Sequence, residues 1–118
     1  MLARSHRFHG RGSLRFVYDR GKTIRSPQLA LRYLTNERRQ SYRVAVVVSK
    51  KVEKTAVARN RLRRRVYEVV RTAIPHDTPA YDLVFTIFSD QVTEWPSAKL
   101  EEVIHSLLTS AGMAPKKP

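Results

Sequence analysis

From residue 58 onward the chain keeps helical time. Ala58, Leu62, Val66, Val69, Val70 and Ala73 recur in steps of three and four, so they share one stripe of a helix that ends before Pro75. Two earlier stretches follow a different period. Leu29, Leu31 and Tyr33 alternate with Ala30 and Arg32, which predicts a strand. Tyr42 to Ser49 is a β-branched run with Val44, Val46, Val47 and Val48, and it predicts a central strand. Asn36 to Ser41, between the two, is charged and of hairpin-loop length. Tyr81 to Phe88 reads as a further strand with Leu83, Phe85 and Ile87 on one side. A last helical stripe uses Leu100, Val103, Ile104, Leu107 and Leu108, starting near Pro96 or Ser97 and stopping at Gly112. Near the start, Ser13 caps a short helix with Leu14, Val17 and Tyr18 on one face and Gly21 as its stop. Residues 22–26 extend from it up to the break at Pro27.

The expected order is α-β-β-β-α-β-α, without internal repeat. At 118 residues this is one domain, an α/β (α+β) two-layer sandwich in which helices cover a small sheet. Residues 1–12 are read as a flexible basic arm and 113–118 as a tail. Phe85, Phe88 and Trp95 are read as packing residues.

Charge changes the picture. The chain carries 23 Lys+Arg against 10 Asp+Glu, a net +13. Self-repulsion of that size opposes the compact state and attracts polyanions, nucleic acid first. The charge concentrates on the arginine helix, where Arg59, Arg61, Arg63, Arg64 and Arg65 crowd into seven residues. At about 100° per residue, Asn60, Arg64 and Arg71 point away from the apolar stripe, and the other four arginines flank it. Guanidinium groups make paired, charge-assisted hydrogen bonds to phosphate. Lys50 and Lys51 just upstream extend the same positive ridge. Asn60, set between Arg59 and Arg61, organises neighbouring arginines or contacts a sugar or base edge.

Catalytic chemistry finds little support. The acids are scattered, none paired with a histidine at general-base spacing, and the glycines are too dispersed for a phosphate-cradling loop. His6 and His9 have no carboxylate close by to complete a metal site. There is no cysteine, so neither disulfides nor thiolate metal sites arise. No apolar run reaches the roughly 18 residues of a membrane span. A cytoplasmic protein without membrane or small-molecule partners is expected.

Ser49-Lys50-Lys51, followed by Ala56-Val57 and Arg59-Asn60-Arg61-Leu62-Arg63-Arg64, resembles the signature of the bacterial ribonuclease P protein subunit. The resemblance runs from about residue 7 to 112. It implies a four-stranded sheet with a left-handed β-α-β crossover through the arginine helix, although the general rule favours the other hand. It implies that a large RNA carries the catalysis with Mg2+, and that the protein contributes no catalytic residue. Lys50, Lys51, Arg59, Asn60, Arg61, Arg63 and Arg64 would then meet the catalytic RNA. A cleft lined by Leu14, Tyr18 and Arg32 would hold the single-stranded 5′ leader of precursor tRNA. Tyr18 stands where the family commonly has an aromatic residue, whereas Leu14 and Arg32 depart from that pattern, replacing base stacking by apolar and phosphate contact. A ribosomal or RNA-chaperone protein would share the charge and size. A protein-only nuclease would need clustered carboxylates, which the sequence lacks.

Overall fold

The computed structural model describes residue 8 and residues 11–35, 41–74 and 80–113. Its elements are α1 (Arg11–Arg20), β1 (Lys22–Arg25), β2 (Leu29–Thr35), β3 (Arg43–Val48), α2 (Ala56–Ala73), β4 (Tyr81–Ile87), α3 (Gln91–Glu94) and α4 (Ser97–Ser110). The expected order holds, with the single-turn α3 inserted where a plain connection was expected. Helix α1 begins at Arg11, so Ser13 lies inside its first turn instead of capping it. Most of the arm, the 36–40 connection, residues 75–79 and the tail beyond Met113 lie outside the described residues.

The four strands form one sheet in the order β1-β2-β4-β3. β1 and β2 are antiparallel, as are β2 and β4, whereas β3 runs parallel to β4. Parallel neighbours need a crossover, and α2 supplies it. This corrects two expectations. The valine-rich strand is an edge strand, and the connection before it is no hairpin, because β4 separates β2 from β3. The two inner positions belong to β2 and β4, and in β4 Asp82, Leu83, Val84 and Phe85 are all fully buried. In β3 only Val44, Val46 and Val48 are buried on the main core, while Ala45 and Val47 remain half-buried on the other face.

Strand alternation gives the sheet two different faces. Leu29, Leu31, Val44, Val46, Val48, Leu83, Phe85 and Ile87 join the helix residues Leu62, Val66, Val70, Leu100, Ile104 and Leu108 in the main core. Helix α1 packs on β2 and β4 across the opposite face, where Val17, Ala30 and Val84 are buried. That second face also holds a buried ion pair, Arg43 with Asp82, closed by two hydrogen bonds of 2.9 Å. The Phe8 ring caps the Arg43 guanidinium at 4.6 Å. Gly112 ends α4 with φ +91°, the left-handed conformation that favours glycine.

Candidate nucleic-acid interface

Two hydrogen-bonded devices set the approach to the arginine helix. Val52 and Glu53 donate to the Ser49 carbonyl at 3.1 and 3.2 Å, closing a tight turn that leaves Lys50 and Lys51 exposed. Thr55 then caps α2, its hydroxyl accepting from the Ala58 amide at 3.1 Å. The apolar stripe is buried as its spacing predicts, through Leu62, Val66, Val69, Val70 and Ala73.

The arginines divide into two sets. Arg59 donates to the carbonyls of Glu53 and Lys54, both at 3.0 Å, so it ties the turn to the helix. Arg63 donates to Asn60 Oδ1. Arg65 reaches across to α3 and its C-terminal cap, donating to the carbonyls of Val92, Thr93 and Trp95. Arg71 pairs with Glu68 at 2.9 Å, and this hydrogen bond holds the Glu68 carboxyl below the usual carboxylate range. Arg61 and Arg64 remain: both are exposed, and neither makes a hydrogen bond or ion pair among the described residues. They open onto a groove of about 400 Å³ between α2 and α4, with Val69, Ser97, Leu100 and Glu101 also in its walls.

The three cleft residues named from the sequence occupy different environments. Leu14 is half-buried, Val17 is fully buried against the sheet, and Tyr18 is 40% exposed. The face expected to contain all three is thus split between core and solvent. Arg32 lies on β2 beneath the end of α1. Its guanidinium donates to the Val17 carbonyl at 3.0 Å, to the Tyr18 carbonyl and to Thr23 Oγ1 at 2.6 Å. It therefore caps the C-terminus of α1, where a cation is favourable. Gly21 permits this closeness: a Cβ there would stand 2.5 Å from the Val17 carbonyl and 2.9 Å from that of Tyr33.

Beside α1 the second face continues as a half-buried strip of Ala45, Val47 and Thr86. Two exposed aromatics accompany it. Phe16 is 50% exposed on α1 with the Arg20 guanidinium 5.7 Å from its ring centre. Phe88 is 44% exposed with Arg25 at 4.8 Å, which corrects its reading as a packing residue. The alternation Asp82, Val84, Thr86, Phe88 already set Phe88 opposite Ile87. For Phe16 the only sequence signal was its place about 100° from Val17.

Among the described residues no group of three or more His, Cys, Asp or Glu side chains could hold a metal ion, and no helix is long and apolar enough to cross a membrane.

Residues 2–112 match the family model described as Ribonuclease P. The ribonuclease P protein component of Chloroflexus aurantiacus is 40% identical over 114 residues, covering 97% of this chain and 83% of that one. That of Synechococcus elongatus is 32% identical, covering 93% of both. Among solved structures, the ribonuclease P protein of Staphylococcus aureus matches with TM-score 0.75 at 19% identity, over 92% of this chain and 97% of that one. The Thermotoga maritima protein matches with TM-score 0.73 at 22% identity, over 88% and 96%.

Proposed function

This chain belongs to the ribonuclease P protein family, and we propose that it binds the catalytic RNA of that enzyme and assists removal of 5′ leaders from precursor tRNAs in the cytoplasm. The observation that carries the proposal is the Arg-Asn-Arg helix with two guanidinium groups, Arg61 and Arg64, that have no partner among the described residues, beyond the exposed Lys50 and Lys51. Such cations neutralise crowded phosphate and fix the protein's position on RNA. Arg59, Asn60 and Arg63 contribute mainly by holding the turn and helix in shape, with their outer edges still turned to the partner. Hydrolysis is assigned to Mg2+ held by the RNA, since metal-assisted attack on a phosphodiester needs a converging set of oxygen ligands.

The second face supplies the substrate contact. Tyr18 offers an exposed ring on α1, Leu14 an apolar edge, and the Ala45–Val47–Thr86 strip a floor. A single-stranded leader can stack on such a ring whatever its base, and only the precursor possesses that segment. Arg32 acts beneath this wall, by fixing the end of α1.

Reconstitution tests the proposal. Precursor tRNA is incubated with the protein, with a cognate catalytic RNA, and with both. The expected result is no cleavage by protein alone and faster turnover by the pair at low Mg2+ than by RNA alone. Cleavage by RNA-free protein would identify a protein nuclease. An RNA whose activity ignores the protein would point to a general RNA binder.

A further inference from the structure

We infer that the catalytic RNA lies in the groove between α2 and α4, so that the first turn of α4 belongs to the interface together with the arginine helix. This rests on the reading of α2 as an RNA-binding element and specifies which side of it the RNA takes. Arg59, Arg63 and Arg65 each have a donor engaged within the protein. Arg61 and Arg64, the two that do not among the described residues, both line this one groove. They stand three apart on the helix, on the same face as Val57, which is 68% exposed one turn earlier. The ridge is therefore directional: its available cations lean towards α4.

The opposite wall suits a sugar-phosphate strand. Ser97 is exposed at the start of α4 and offers a hydroxyl, while Val69 and Leu100 make an apolar floor. At about 400 Å³ the groove takes more than one isolated phosphate. Arg65 sets its width, because its bonds to the carbonyls of Val92, Thr93 and Trp95 hold the approach to α4 against α2. Glu68 is occupied by Arg71 at 2.9 Å. Glu101 is the remaining acid in the walls, and it faces the phosphates as a local repulsion.

The absence of cysteine makes single-site tethering clean. A hydroxyl-radical-generating iron chelate is attached to Val57→Cys, Ser97→Cys or Ser106→Cys protein and assembled with full-length catalytic RNA. Ser106 is exposed on the far side of α4, in the wall of a separate groove against β1. The Val57 and Ser97 probes should cut overlapping stretches of the RNA, and the Ser106 probe should not. Cuts from Val57 without cuts from Ser97 would overturn the groove while leaving α2 as an RNA contact. Silence from both would overturn the RNA-binding reading and this inference with it. A second measurement uses two adjacent carboxylates with different outlooks. Glu101→Gln should tighten association with the RNA several-fold, whereas Glu102→Gln, with the same change in net charge, should leave it unchanged, because Glu102 lines the other groove. Equal effects from the two would show that only overall charge matters and would overturn the inference.

Discussion

Arg64 and Arg65 are neighbours in sequence with opposite roles, and substitution should separate them. Arg65 donates to three carbonyls from a segment 27–30 residues away. Hydrogen bonds from a charged donor are worth about 1.5–3 kcal/mol each at most, and partial exposure discounts that. Arg65→Gln should therefore lower unfolding stability by about 1–2 kcal/mol in denaturant titration. Arg61→Gln and Arg64→Gln should leave stability unchanged or slightly raised, since they relieve like-charge repulsion. Each should instead make the log–log salt dependence of RNA binding shallower by about 1. The density of arginine was legible in the sequence; the division of labour was not, because the acceptors that engage Arg65 are brought in by the tertiary fold. Tyr42 gives a second test at this scale. It is buried, and burial pushes its phenol above the ordinary value near 10, with the Arg71 guanidinium pulling weakly the other way. The folded state then keeps a proton that the unfolded chain releases. This contribution to stability is fully present below pH 10 and is lost as pH rises through the folded value. Thermal melts followed into the alkaline range should show that decline in the native protein and a flatter limb in Tyr42→Phe.

Among the elements, helices and strands were legible because their periodicities are strong, whereas their neighbours were not. The valines of β3 looked central because a β-branched run suits burial on both faces, yet its second face is only half covered. The inner strand beside it, β4, carries Asp82 and Thr86 among its apolar residues, and Asp82 is tolerated there because Arg43 neutralises it from β3. Of the candidate site, the arginine ridge was visible as a motif. The role of Arg32 was hidden, since two of its partners are backbone carbonyls 14 and 15 residues away and the third is the Thr23 hydroxyl on the neighbouring strand. That role makes a prediction about α1. Arg32→Ala removes the cation from the helix end and leaves the Val17 carbonyl held by the Gly21 amide alone, so amide exchange in the last turn of α1 should accelerate while the main core stays protected. Tyr18→Ala acts on the same wall without loosening it. Precursor affinity should fall about ten-fold, roughly 1.4 kcal/mol, with mature tRNA affinity unchanged and the melting temperature preserved. An equal loss for both tRNAs, or an earlier melt, would assign the ring to packing.

At the scale of the whole molecule, a net charge of +13 makes the partner part of the stability problem. The free protein bears self-repulsion that salt relieves, because the Debye length falls from about 10 Å at 0.1 M to about 3 Å at 1 M. Binding to RNA relieves the same repulsion by direct neutralisation, and it also supplies the RNA with cations that would otherwise come from solution. These two effects have opposite salt dependences. Rising monovalent salt should stabilise the isolated protein in thermal melts while weakening its association with catalytic RNA. The benefit of the protein to turnover should accordingly be greatest at low salt and low Mg2+, and should shrink as either is raised. In Arg61→Gln/Arg64→Gln protein the free chain should melt no lower than the native one, yet the same turnover should require more Mg2+, because two phosphate contacts are gone. Turnover measured across a Mg2+ series at two salt concentrations checks this. A doubly substituted protein with the native Mg2+ requirement would show that the groove-facing arginines do not substitute for counterions, and that the ridge acts through shape alone.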